Sequence, residues 1–188
     1  MSATAPHSRP NRRIVWLLAL VFFAPLCLSF VMYYGSSWRP AGHTNHGLLI
    51  EPPRTLPAVG AGLFTGKWSL VYVGAGDCDA ACRRALYFMR QTYLGLGNLT
   101  PRVQRVFIVT GNCCDHALLE REYSGLITFD PPALERAALL AQFPADARAA
   151  MLYIVDPRGN LMMRYDSQAS PRGLHEDLEK LLHLSHIG

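Results

Sequence analysis

The chain reads as an α/β protein: a central mixed sheet flanked by helices, preceded by one apolar N-terminal helix. Three observations predict this. They are an uncharged 21-residue run from Ile14 to Tyr34, a strand–helix–strand order between Lys67 and Val109, and a strand–turn–strand pattern around Asp156-Pro157-Arg158-Gly159. Half of the 188 residues are hydrophobic and 17% are charged, which suits a packed core and excludes general disorder. The net charge of +4 is concentrated at the start. Arg9, Arg12 and Arg13 precede the apolar run, no acidic residue occurs before Glu51, and the remainder carries 15 basic against 14 acidic residues. That remainder has no basic cluster and no nucleic-acid motif, so nucleic acid is not an expected partner. Internal repeats, a phosphate-binding glycine loop, paired catalytic carboxylates and a serine triad are missing as well.

Residues 1–13 are polar and basic, a short cytoplasmic tail in this reading. Residues 14–34 span about 30 Å as a helix, enough to cross a bilayer once. Tyr33, Tyr34 and Trp38 follow, as aromatic residues do at a membrane interface. A cleaved signal peptide is the competing reading, but the run exceeds the usual apolar length and no small-x-small site ends it. Positive charge on the N-terminal side predicts a single-pass protein with its N-terminus in the cytoplasm and its domain outside. In a bacterium that places it in the inner membrane, facing the periplasm. Residues 35–63 contain Pro40, Pro52, Pro53 and Pro57, with glycines at 42, 47, 60 and 62 as well as Gly35 at the start, and read as an extended tether. His43 and His46 lie in it; two histidines three apart can hold a metal, but solvated side chains are the simpler reading.

Residues 64–188 form the domain. Lys67 to Val73 is a buried strand, and Ala80 to about Leu94 a helix with Cys82, Leu86, Met89 and Tyr93 on one stripe, stopped by Gly95. Val103 to Val109 is apolar and β-branched, a central strand covered on both faces. Strand, helix and strand in this order imply a right-handed parallel unit. His116 to Tyr123 reads as a short helix and Leu126 to Phe129 as a short strand. Asp130 reads as an N-cap with Pro131 in the first helical position, opening a helix to about Phe143. Met151 to Val155 is a further strand, and Asp156-Pro157-Arg158-Gly159 has type I turn residues, so Leu161 to Tyr165 returns antiparallel. Ser170-Pro171 opens the last helix, whose Leu174, Leu178, Leu181 and Leu182 form an apolar stripe; His175, His183 and His186 fall mostly off it. This order is that of a thioredoxin-like domain.

The chemistry centres on Gly74-Ala75-Gly76-Asp77-Cys78-Asp79-Ala80-Ala81-Cys82. Cys78 and Cys82 lie one turn apart at the opening of a helix, whose unpaired N–H groups favour thiolate. They are close enough for a disulfide, or for jointly holding a soft metal such as Cu(I). Asp77 and Asp79 oppose thiolate formation while Arg83 and Arg84 support it. The alternative is a pair of small inert core residues, against which the two neighbouring glycines suggest an exposed turn. Strand ends carry function in such sheets, and the loop Thr110-Gly111-Asn112-Cys113-Cys114-Asp115-His116 leaves the neighbouring strand. Cys113, Cys114 and His116 are therefore candidates for a resolving thiol or extra metal ligands. A bond between Cys113 and Cys114 themselves is not expected across one peptide unit. Cys27 lies within the apolar run.

Gly66-Lys67, the apolar strand, Gly74-x-x-x-Cys78-x-x-x-Cys82 and Asp156-Pro157-x-Gly159 resemble the Sco/SenC family, over about Leu63 to the C-terminus. That family comprises membrane-anchored thioredoxin-fold proteins serving copper-site assembly in cytochrome c oxidase. The resemblance implies copper as the metal, Cys78 and Cys82 as its ligands or as a redox-active pair, and an oxidase subunit or other oxidase assembly factors as partners. Two positions depart from the pattern. Arg83 stands where the family has proline. Counting back from Asp156-Pro157 puts Arg148 where the family has its third copper ligand, a histidine, and a guanidinium does not ligate copper. The expected function is thiol–disulfide exchange with Cu(I) handling, the alternative a degenerate scaffold without either activity.

Overall fold

The computed structural model describes residues 11–35, 44–111, 113–114, 116–145 and 151–187, in two compact units divided after His43. The first is helix α1, Arg12–Gly35, 24 residues with Pro25 inside it and none buried. At about 36 Å it is long enough to cross a membrane, and with a mean hydropathy of 2.6 it is apolar enough.

The second unit is a six-stranded sheet in the order β1-β6-β5-β2-β3-β4. Its elements are β1 (Leu48–Thr55), β2 (Trp68–Gly74), α2 (Ala80–Gly95), β3 (Val103–Val109), α3 (His116–Glu122), β4 (Leu126–Phe129), α4 (Ala133–Leu140), β5 (Met151–Val155), β6 (Asn160–Asp166) and α5 (Pro171–Leu184). β2, β3 and β4 run parallel, and β5 is antiparallel to both β2 and β6. Every residue of β2 is buried, because helices or loops cover both faces of the sheet. Trp68, Leu70, Tyr72, Phe107 and Val109 share one face with residues of α2, α3 and α5. Val71, Val73, Val106 and Ile108 share the other with Leu139, Phe143 and Phe64. The two-residue period of the strands decides which residue goes where.

The hairpin forms as the turn residues predict. Gly159 N–H donates to the Asp156 carbonyl at 3.0 Å, and the Asp156 carboxylate accepts from the backbone N–H groups of Arg158 and Asn160. Ser170 caps α5, its hydroxyl accepting from Arg172 N–H.

Three expectations need correction. Most of the predicted tether, from residue 48 onward, belongs to the domain: Leu48–Thr55 pairs antiparallel with β6, and Ile50, Leu56, Val59 and Phe64 are core residues. Pro52 and Pro53 misled the sequence reading because they sit where the pairing register slips, on an edge strand, so no ladder bond needs their missing N–H. The fourth helix starts at Ala133 with Pro132 as its N-cap, since Asp130 is held instead by Arg136 at 2.6 Å. Helix α2 runs through Gly95, and the left-handed glycine after it is Gly97. Gly95 serves a different purpose, since a Cβ there would meet the His175 ring of α5 at 3.0 Å.

Candidate functional site

The strand β2 ends in Gly74, and the turn Ala75-Gly76-Asp77 delivers Cys78 to the start of α2. Gly74 is required by a close approach: a Cβ there would lie 2.7 Å from the Tyr72 ring, which is 2% exposed and cannot swing aside. Cys78 has φ +40°, a left-handed conformation costing a β-carbon residue about 1 kcal/mol or more. This kink turns the chain so that Cys78 faces Cys82, with their Cα atoms 5.0 Å apart and a disulfide between them.

Asp79 is the N-cap of α2, its carboxylate accepting from Cys82 N–H at 2.9 Å. The opposed charges of the sequence are thereby sorted. The acid sits on the first turn, whereas the Arg84 guanidinium reaches away to the Gln168 carbonyl and lies 5.4 Å from the Phe88 ring centre. The same carboxylate affects the floor of the site. Burial first, and then the charge of Asp79, push the Tyr72 hydroxyl up to about 12, so it stays protonated at physiological pH.

The turn is not the exposed one expected from its glycines. Cys78 is 7% and Cys82 2% exposed, and both belong to the core cluster with Leu119 and Tyr123 of the segment that follows β3. Tyr123 locks that segment over the first turn of α2 by donating its hydroxyl to the Arg83 carbonyl at 3.2 Å.

The loop after β3 does come to the same place. β2 and β3 pair in register to Gly74 and Val109, and Thr110 N–H donates onward to the Gly74 carbonyl at 2.9 Å. Cys113 is exposed, and half-buried Cys114 packs against the cluster that holds Cys78 and Cys82. Contrary to expectation, Cys113 and Cys114 are bonded to each other. His116, exposed, opens α3 with its N–H on the Cys114 carbonyl at 2.9 Å. Among the described residues no three His, Cys, Asp or Glu side chains converge as a metal set. Arg148 and His43 lie outside the described residues.

Sequence reasoning missed one buried carboxylate altogether. Asp177, 4% exposed, accepts from His46 N–H at 2.7 Å, Gly47 N–H at 3.0 Å and the Tyr165 hydroxyl at 2.8 Å. The His46 side chain is exposed, as expected, but its backbone is pinned to Asp177 and its ring lies 3.0 Å from Glu176. An aspartate on the apolar stripe of α5, between Leu174 and Leu178, was the available signal.

Solved structures of the same fold include Sco proteins, some of them with copper bound. Apo Sco1 from Thermus thermophilus matches with a TM-score of 0.58 at 17% identity, covering 75% of this chain and 99% of that one. Yeast Sco1 with copper bound matches at 0.56 and 14% identity, covering 77% and 96%. Arabidopsis thaliana ScoI with copper bound matches at 0.53 and 16% identity, covering 65% and 87%. At these identities the likeness establishes the thioredoxin-like fold. No curated protein sequence matches the chain. Residues 68–185, from the first residue of β2 to the end of α5, match the family described as transmembrane-like, thioredoxin-like, C-terminal domain, and the chain belongs to that family.

Proposed function

We propose that the protein is a membrane-anchored, Sco-like assembly factor for cytochrome c oxidase that works by thiol–disulfide exchange at Cys78 and Cys82. The observation that carries this reading is the Cys78–Cys82 disulfide at the junction of β2 and α2, where the sheet presents its carboxyl ends. Helix α1 supplies the anchor, with the N-terminus cytoplasmic and the domain periplasmic, the compartment in which such a bond persists. The oxidase and its other assembly factors enter as partners through the Sco resemblance of sequence and fold.

In this cycle the reduced pair donates two electrons to a disulfide of the partner. One thiolate attacks a partner sulfur, releasing the other partner sulfur as thiolate, and the second cysteine then displaces the partner and closes the Cys78–Cys82 bond. The partner's cysteines leave as a dithiol ready to take metal. Reduced, the same two sulfurs suit Cu(I) as cargo, since thiolates match a soft cation. With no third ligand near them among the described residues, retention would be modest. Arg148→His is expected to raise Cu(I) affinity, and an unchanged affinity would refute the position given to Arg148.

The 7% and 2% exposure of the pair favours a second reading, a structural disulfide in a scaffold with no redox activity. The two separate cleanly. The full chain in detergent, equilibrated with glutathione buffers, should show the Cys78–Cys82 bond opening and closing, and Cys78→Ser should abolish exchange with a disulfide peptide. A bond that never opens in the folded protein would leave the scaffold.

A further inference from the structure

If exchange at Cys78–Cys82 is the function, the bond has an access problem. A folded dithiol partner must bring its sulfur into line with a disulfide whose cysteines are 7% and 2% exposed, in a core cluster shared with Leu119 and Tyr123, with Tyr123 tied to the Arg83 carbonyl on the first turn of α2. The second disulfide has the opposite placement. Cys113 is exposed, while Cys114 packs against the very cluster that contains Cys78 and Cys82. One cysteine of the pair is thus open to solvent and the other is half-buried against the core cluster to which the buried bond belongs. Both pairs leave adjacent parallel strands at the same end, joined by the bond from Thr110 N–H to the Gly74 carbonyl.

We propose that Cys113–Cys114 is an electron relay that accepts reducing equivalents from a protein dithiol at the surface and passes them to Cys78–Cys82. This rests on the exchange function above and names how the pair is recharged. In the first stage a thiolate of the donor attacks Cys113 Sγ and breaks the Cys113–Cys114 bond. The donor's second thiol displaces Cys113, and the donor leaves as a disulfide. In the second stage the Cys114 thiolate attacks Cys78 Sγ, the less buried of the two cysteines, and Cys82 departs as thiolate and takes a proton. Cys113 then attacks Cys114 Sγ, releasing Cys78 and re-forming the vicinal bond. Two electrons and two protons pass from donor to buried pair, and Cys113–Cys114 ends as it began.

The test uses the full chain in detergent in a Cys27→Ala background, with reduced thioredoxin as the dithiol donor and a water-soluble phosphine as the small reductant. In the Cys113→Ser/Cys114→Ser variant, reduction of Cys78–Cys82 by thioredoxin should slow by about tenfold or more, since only direct attack on the shielded bond remains. The phosphine should still open it. In Cys82→Ser/Cys113→Ser, which leaves Cys78 and Cys114 as the thiols of the domain, an internal Cys78–Cys114 bond should form and appear as a linked peptide by mass spectrometry. Equal thioredoxin rates with and without the vicinal pair, or failure of Cys78 and Cys114 to join, overturns the relay and leaves direct exchange at Cys78–Cys82 standing. A Cys78–Cys82 bond that neither thioredoxin nor phosphine opens in the intact chain overturns both.

Discussion

The backbone N–H of Cys82 is held by the carboxylate of Asp79 at 2.9 Å. The donor that a thiolate at the helix opening would use is thus already taken, and by a negative charge. The cap stabilises α2 by about 1 kcal/mol while working against the ionised form of the cysteines it introduces. Asp79→Ser keeps a capping oxygen and removes the charge. The reduced protein should then be alkylated at Cys78 or Cys82 several-fold faster at neutral pH. Alkylation followed by mass spectrometry measures it, and an unchanged rate would show that the carboxylate does not restrain the thiols.

Gly74→Ala tests the floor beneath the cysteine turn. The added methyl would lie 2.7 Å from the Tyr72 ring, inside a strand whose every residue is buried. Overpacking of this kind destabilises by about 1–3 kcal/mol. Chemical denaturation should report that loss for Gly74→Ala, while Gly111→Ala, where the space is open, should be close to neutral.

Alkali should unfold the domain in a defined window. Burial raises the hydroxyls of Tyr72, Tyr123 and Tyr165, with Asp79, Glu122 and Asp177 respectively adding to the effect. A raised acid is one whose neutral form the fold prefers. Its stabilisation is complete below the unfolded value near pH 10 and is lost as pH rises from there, at roughly 1 kcal/mol per pH unit for each buried tyrosine. For Tyr72 the loss continues to about 12. Urea midpoints at pH 8, 10 and 11 should fall across the upper interval, and Tyr72→Phe should flatten part of the slope.

Asp177→Ala should loosen the start of the domain. Removing the carboxylate leaves the buried N–H of Gly47, the N–H of His46 and the hydroxyl of Tyr165 without their common acceptor. Orphaned donors cost about 1–3 kcal/mol apiece, so a loss of about 3 kcal/mol or more is expected. Limited proteolysis should begin at residues 44–47, and a variant as stable and as resistant as the parent would show that the clamp contributes nothing. Gly47→Ala should act in the same direction, because its Cβ would collide with the Tyr165 ring.

What could be read from the chain alone was whatever is local. The continuous apolar runs of β2 and β3, the helical stripe through Cys82, Leu86 and Met89, the Asp156–Gly159 turn and the Ser170 cap each follow from neighbours within a few residues. So does the pairing of Cys78 with Cys82, one helical turn apart. Contacts across long separations decided the rest. A proline-bearing stretch became a strand because β6, more than a hundred residues later, offered an edge that tolerates missing donors. Asp177 became a clamp because it lies across from His46 and Gly47, 131 and 130 residues away. The cysteine pair, placed by the sequence at an open turn, is buried in a core cluster it shares with Leu119 and Tyr123, some forty residues later in the chain. Local periodicity records which residues avoid water, whereas which surfaces meet is decided by packing among distant elements, and that is why burial and partnership had to come from the tertiary structure.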